Sequence, residues 1–143
     1  MKNFVRFRQL SAALLLLLTF GQPATANPAG VVYHIDDASR ATQALRNVTN
    51  HHKAYPDLPI TVVALAHGVE FLVDGAKDQR GNSYSAMVET LVMAGVSFLA
   101  CENTMNALGI AADELSLGVE TVPSGVAEIG RLQLEEGYAY IKP

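Results

Sequence analysis

One cysteine, Cys101, stands in the whole chain of 143 residues. That excludes an intramolecular disulfide, so no disulfide framework shapes the fold. Cationic side chains are scarce as well. Of ten Lys and Arg, Lys2, Arg6 and Arg8 lie at the start, which leaves seven against fourteen Asp and Glu from residue 27 onward, a formal net charge of −7. Such a balance is a poor electrostatic footprint for nucleic acid or an anionic membrane, and neither is expected as a partner. There is no phosphate-binding P-loop, no dinucleotide fingerprint, no GxSxG and no HExxH. No cofactor is therefore expected, and no internal repeat complicates the reading.

The long apolar runs end early. Lys2, Arg6 and Arg8 form a positive region, Leu10 to Phe20 a short apolar one, and Ala24-Thr25-Ala26 a small-x-small cleavage site. Residues 1–26 read as a secretory signal peptide. The run is too short for a transmembrane helix, which wants about 20 residues. No cysteine follows it to carry a lipid, and Phe7 separates the two arginines, so no twin-arginine pair exists. The expectation is one domain over 27–143, periplasmic, with no membrane attachment after cleavage. An odd cysteine in an oxidising compartment is either a reactive thiol or one buried deeply enough to escape oxidation.

Strands are predicted at Gly30 to Ile35, Ile60 to Ala66, Val96 to Ala100, Val119 to Val122 and Tyr138 to Ile141. Helical spacing runs from about Ser39 to Lys53, through Met87, Leu91 and Ala94 behind a cap at Ser83 or Ser85, and from a Ser124 cap to about Glu136. A short helix capped by Asn103 follows Cys101. The alternation predicts an α/β sandwich with a mainly parallel sheet. Val69 to Val73 is short and apolar, reads as either a helical turn or an extended piece, fits no clear core element, and is expected as an exposed interface patch. His51 and His52 are expected to be solvated.

Ligands in parallel sheets bind outside the carboxyl ends of strands. Those ends carry His34 and Asp36, then His67 and Gly68, then Cys101, then Ser124 and Gly125. A thiol beside imidazoles and helix N-termini at Asn103 and Ser124 is an environment for an activated thiolate or an anion. His34 reads equally well as a satisfied structural histidine, Asp36 and Asp37 as helix caps, and Cys101 as a small buried hydrophobe. A metal site from Cys101, His34 and His67 lacks paired-ligand spacing, so none is expected. Glu102 is the one unfavourable neighbour, because a carboxylate beside the sulfur opposes a second negative charge.

Taken together, VVYHIDD at 31–37, NVTNHH at 47–52, VVALAHG at 62–68, FLACENTMNALGI at 98–110 and VPSGVAEIGRLQLEEGYAYIKP at 122–143 resemble the DsrE/DsrF-like family of sulfur-relay proteins. The resemblance implies a three-layer α/β/α sandwich with a five-stranded parallel sheet and homotrimers or hexamers. It implies a persulfide carried on Cys101, with a sulfur donor or acceptor as partner. His34 and His67 are the catalytic neighbours expected beside it, and Asp36, Gly68, Asn103, Thr104, Ser124 and Gly125 the ligand-binding groups. The alternative is a non-catalytic oligomeric module that binds a small ligand or partner, with Cys101 structural.

Overall fold

The computed structural model describes residues 29–143; the signal peptide expected over 1–26 lies outside the described residues. Five strands form one sheet: β1 (Val31–Ile35), β2 (Ile60–Ala64), β3 (Ser97–Cys101), β4 (Val119–Val122) and β5 (Ala139–Ile141). Their order is β4-β3-β2-β1-β5, and every pairing is parallel. Four α-helices connect them: α1 (Ala41–Ala54), α2 (Tyr84–Met93), α3 (Glu102–Leu108) and α4 (Gly125–Leu134). The first three crossovers step the same way along the sheet, and the last returns over it to place β5 beside β1. With right-handed crossovers, a reversal of direction puts α4 on the opposite face.

Alternation along the strands divides the core accordingly. Tyr33, Ile35, Val62, Ala64, Phe98 and Ala100 point towards α1, α2 and α3, in a cluster that also buries Leu45, Val48, Val88 and Met105. Val32, Val63 and Leu99 point the other way, against Ile129 and Leu132 of α4. β2 is buried at all five positions, as a central parallel strand covered on both faces must be.

Three expectations are corrected here. Val69 to Val73 is not an exposed patch. Ala66–Leu72 forms a 3-10 helix that buries Val69, Phe71 and Leu72 completely, because its turn folds back over the carboxyl end of β2. His51 is only partly solvated; its Nδ1 lies 2.9 Å from the Tyr33 hydroxyl, in a part-buried pair. The cap of α3 is Cys101 rather than Asn103, which sits inside the first turn. Ser83 caps α2 by position, while Ser85 is buried inside it and donates to Asp74 Oδ1 at 3.0 Å.

Candidate functional site

β3 carries Cys101 to the carboxyl edge of the sheet, on the same face as Leu99 and therefore on the α4 side. There α4 begins. Ser124 caps it, its Oγ accepting the Ala127 N–H at 3.4 Å, and Gly125 lies directly against the cysteine. A Cβ on Gly125 would stand 3.2 Å from Cys101 Cβ, 3.2 Å from Val63 Cγ1 and 3.3 Å from Leu65 Cδ2. Glycine is what lets the helix terminus come this close. Cys101 is 5% exposed.

The sulfur is buried among donors. Burial pushes the thiol up, whereas the N–H of Gly125, the N–H and hydroxyl of Thr104 and the N–H of Asn103 pull it down. The donors prevail, and the thiol lies below its ordinary value, because each favours the charged form. Thr104 serves twice, because its Oγ1 also accepts the Ala66 N–H at 3.0 Å. Its hydroxyl hydrogen is thus left for the sulfur. Ala66 holds φ at 48°, a left-handed conformation that an L-residue with a Cβ adopts at a cost of about 1–2 kcal/mol. The N–H aimed at Thr104 helps to hold it there.

Glu102 does not oppose the thiolate. Its Oε1 accepts the Thr121 hydroxyl at 2.6 Å, and Thr121 pairs in register with Ala100, on the far face of the sheet from the sulfur.

The structure gathers Asn103, Thr104, Ser124 and Gly125 around Cys101, and separates the two histidines from it. His34 lies two strands away on β1. Its Nδ1 is 2.8 Å from the Tyr140 hydroxyl, and its buried Nε2 has no partner. Burial lowers its pKa first, with Lys142 adding to the effect and Asp36 opposing it. His67 points outward, its side chain 74% exposed and 2.8 Å from Glu70, which raises its pKa. It flanks a shallow hollow with Ala66, Asn103, Thr104, Ala107 and Leu108, on the outer side of α3. The hydrogen bonds of the two imidazoles go to Tyr140 and Glu70 and not to the sulfur, and no group of three His, Cys, Asp or Glu that could hold a metal ion is found among the described residues.

Asp36 and Gly68 serve other ends. The Asp36 carboxylate is paired with Lys142. Gly68 packs against β1: a Cβ there would stand 2.1 Å from the Ile35 carbonyl oxygen, so the missing side chain makes room for backbone, not for a ligand. Sequence reasoning missed Ala66, which carries no signal because alanine does not announce a left-handed turn. It also missed Tyr140 and Lys142, whose approach to His34 and Asp36 depends on β5 pairing with β1.

A doubly covered parallel sheet with a thiol at the carboxyl edge of its third strand defines an α/β protein with one donor-lined cysteine. The profile of the DsrE/DsrF-like family matches residues 18–143, and the chain belongs to that family. Among solved structures it is similar to MTH1491 of Methanobacterium thermoautotrophicum, a protein of unknown function, at 41% identity and a TM-score of 0.69, over 79% of this chain and 97% of that one. It is also similar to the YchN protein of E. coli, with 18% identity and a TM-score of 0.67 over 80% of this chain and 99% of that one. BT1422 of Bacteroides thetaiotaomicron, conserved and of unknown function, shares 14% identity and a TM-score of 0.59, with 80% and 95% covered. The last two likenesses speak to the fold. No curated protein matches the chain.

Proposed function

We propose that this protein is an exported sulfur carrier that holds sulfane sulfur as a persulfide on Cys101. The observation that carries the reading is the place of Cys101, at the start of α3 with the start of α4 packed on it through Gly125, where the thiol is held below its ordinary pKa. A thiolate is the attacking form. The Cys101 thiolate attacks the outer sulfur of a donor persulfide. The donor's S–S bond breaks as the new one forms, the donor leaves as a thiolate with the electron pair, and the outer sulfur keeps its proton. No external oxidant is needed. The same N–H groups then face the negative charge of the bound persulfide. Because Cys101 is almost fully covered, loading requires the Ser124–Gly125 turn to yield.

Assembly into homotrimers or hexamers belongs to this reading. It is supported by family membership and by two apolar side chains that α4 leaves in solvent, Val126 at 68% and Leu134 at 89% exposure. Export to the periplasm rests on the charged, apolar and Ala-x-Ala sequence of residues 1–26.

The test is mass spectrometry after incubation with a low-molecular-weight persulfide. One added sulfur on Cys101, absent from Cys101→Ser, is expected. A wild-type protein that never takes up sulfur would refute the carrier role. The burial of Cys101 favours a second reading, an oligomeric binding module in which the cysteine only fills space beside Gly125. That reading takes over if Cys101→Ser unfolds or dissociates.

A further inference from the structure

Seven cationic side chains follow residue 26, and they are not spread evenly. Arg131 pairs with Glu128 and Glu136, and Lys142 with Asp36. Arg46 and Arg80, distant in sequence, line one cavity of about 190 Å³, together with Ser39, Thr42 and Tyr84. Neither arginine has an ion pair among the described residues. The cavity lies beside the first turns of α1, a helix of 14 residues that continues the 3-10 turn Ala38–Arg40, whose own start is capped by Asp37 Oδ1 accepting the Ser39 N–H at 2.8 Å. One carboxylate, Asp78, also lines the cavity, but its oxygens are committed to its own turn. Oδ1 accepts the N–H groups of Arg80 at 2.8 Å and Asn82 at 2.9 Å, and Oδ2 accepts Asn82 Nδ2 at 2.9 Å.

Next to the cavity, and sharing Ser39 and Tyr84 with it, runs a groove of about 290 Å³ lined by Ala38, Phe71 and Ala76, with Lys77 and Glu70 among its polar residues. The pair has the form of a charged pocket for a head and a more apolar channel for a body. Two guanidinium forks free of ion pairs, with the hydroxyls of Ser39 and Thr42 beside them, suit a tetrahedral oxyanion, which takes several directed hydrogen bonds at once.

We propose that this cleft is a second site, separate from Cys101, that binds a small phosphate- or sulfate-type oxyanion held by Arg46 and Arg80, with any organic body lying along Tyr84 and Ala76. The site sits on the α1/α2 side of the sheet, whereas Cys101 faces α4. It therefore does not depend on the sulfur-carrier reading.

Calorimetric titration of the full protein with inorganic phosphate and with phenyl phosphate tests it. Saturable one-to-one binding is expected, weakened about tenfold or more in Arg46→Gln and in Arg80→Gln. Binding should be unchanged in Cys101→Ser and in Lys53→Gln, which removes a cation elsewhere on the surface. Phenyl phosphate tighter than phosphate assigns an organic ester, and equal affinities assign the free ion; both support the site. Amide resonances of Ser39, Thr42 and Arg80 should shift with phosphate in wild type, a readout that requires no variant to fold. No saturable binding of either probe, binding insensitive to both arginine substitutions, or shifts confined to other residues would overturn the proposal.

Discussion

The two faces of the sheet are covered very unequally. Among the described residues, twenty buried side chains form the cluster under α1, α2 and α3, and four form the cluster under α4. On the thick side the carboxyl ends of the strands are sealed by Val69, Phe71 and Leu72. On the thin side a single helix starts at Gly125 against the Cys101 thiol, and two strands away the same face carries a histidine with an unpartnered nitrogen and a tyrosine hydroxyl. Stability is concentrated on one face and polar chemistry on the other. A thin layer leaves polar groups near the edge of the core, where backbone N–H groups at a helix start can reach them.

That contrast is open to direct attack, most severely at the joint between the two layers. Gly68→Ala must push a methyl into the Ile35 carbonyl and is expected to cost at least about 3 kcal/mol, read by urea denaturation. A loss under about 1 kcal/mol would show that the end of β1 yields easily. Next comes a matched pair on adjacent positions of β3. Phe98→Ala, on the thick side and 1% exposed, should cost about 3–5 kcal/mol. Leu99→Ala, half-buried under α4, should fall below the usual range of about 2–5 kcal/mol for a leucine fully inside. Equal losses would erase the distinction between the faces.

Thr104→Val tests the thin side alone. It removes the hydroxyl that accepts the Ala66 N–H and lowers the thiol pKa, so a loss of about 0.5–1.5 kcal/mol is expected. The Cys101 thiol should also titrate higher than in wild type when alkylation rate is followed against pH. An unchanged profile would mean that the N–H groups alone set the thiolate.

The smallest effect concerns His34. Its folded pKa is lowered, chiefly by burial, so folding favours the neutral ring. The stability this contributes is present above the unfolded value of about 6.5 and is lost as pH falls through it towards the lowered folded pKa. Melting temperature should therefore decline below about pH 6.5 in wild type and decline less in His34→Gln. Identical pH profiles would place the titrating group elsewhere.

The sequence on its own determined the elements and their alternation, because the three central strands are short apolar runs and the longer helices are periodic. β4 was expected at Val119 to Val122 and lies there; the helix expected to reach about Glu136 ends at Leu134. Cys101, Ser124 and Gly125 were legible as strand-end groups for the same reason, since a polar residue after an apolar run marks where the chain leaves the core. Which of those groups meet was not legible. Strand order decided it: the return of α4 across the sheet sets Gly125 on Cys101 and seats β5 beside β1, which draws Tyr140 to His34 and Lys142 to Asp36. Strand-end position set Cys101 and His34 alike at the carboxyl edge, and strand order alone put two strands of separation between them. Local pattern fixes which face of a strand a side chain takes, but the distance between two strands is a property of the whole sheet.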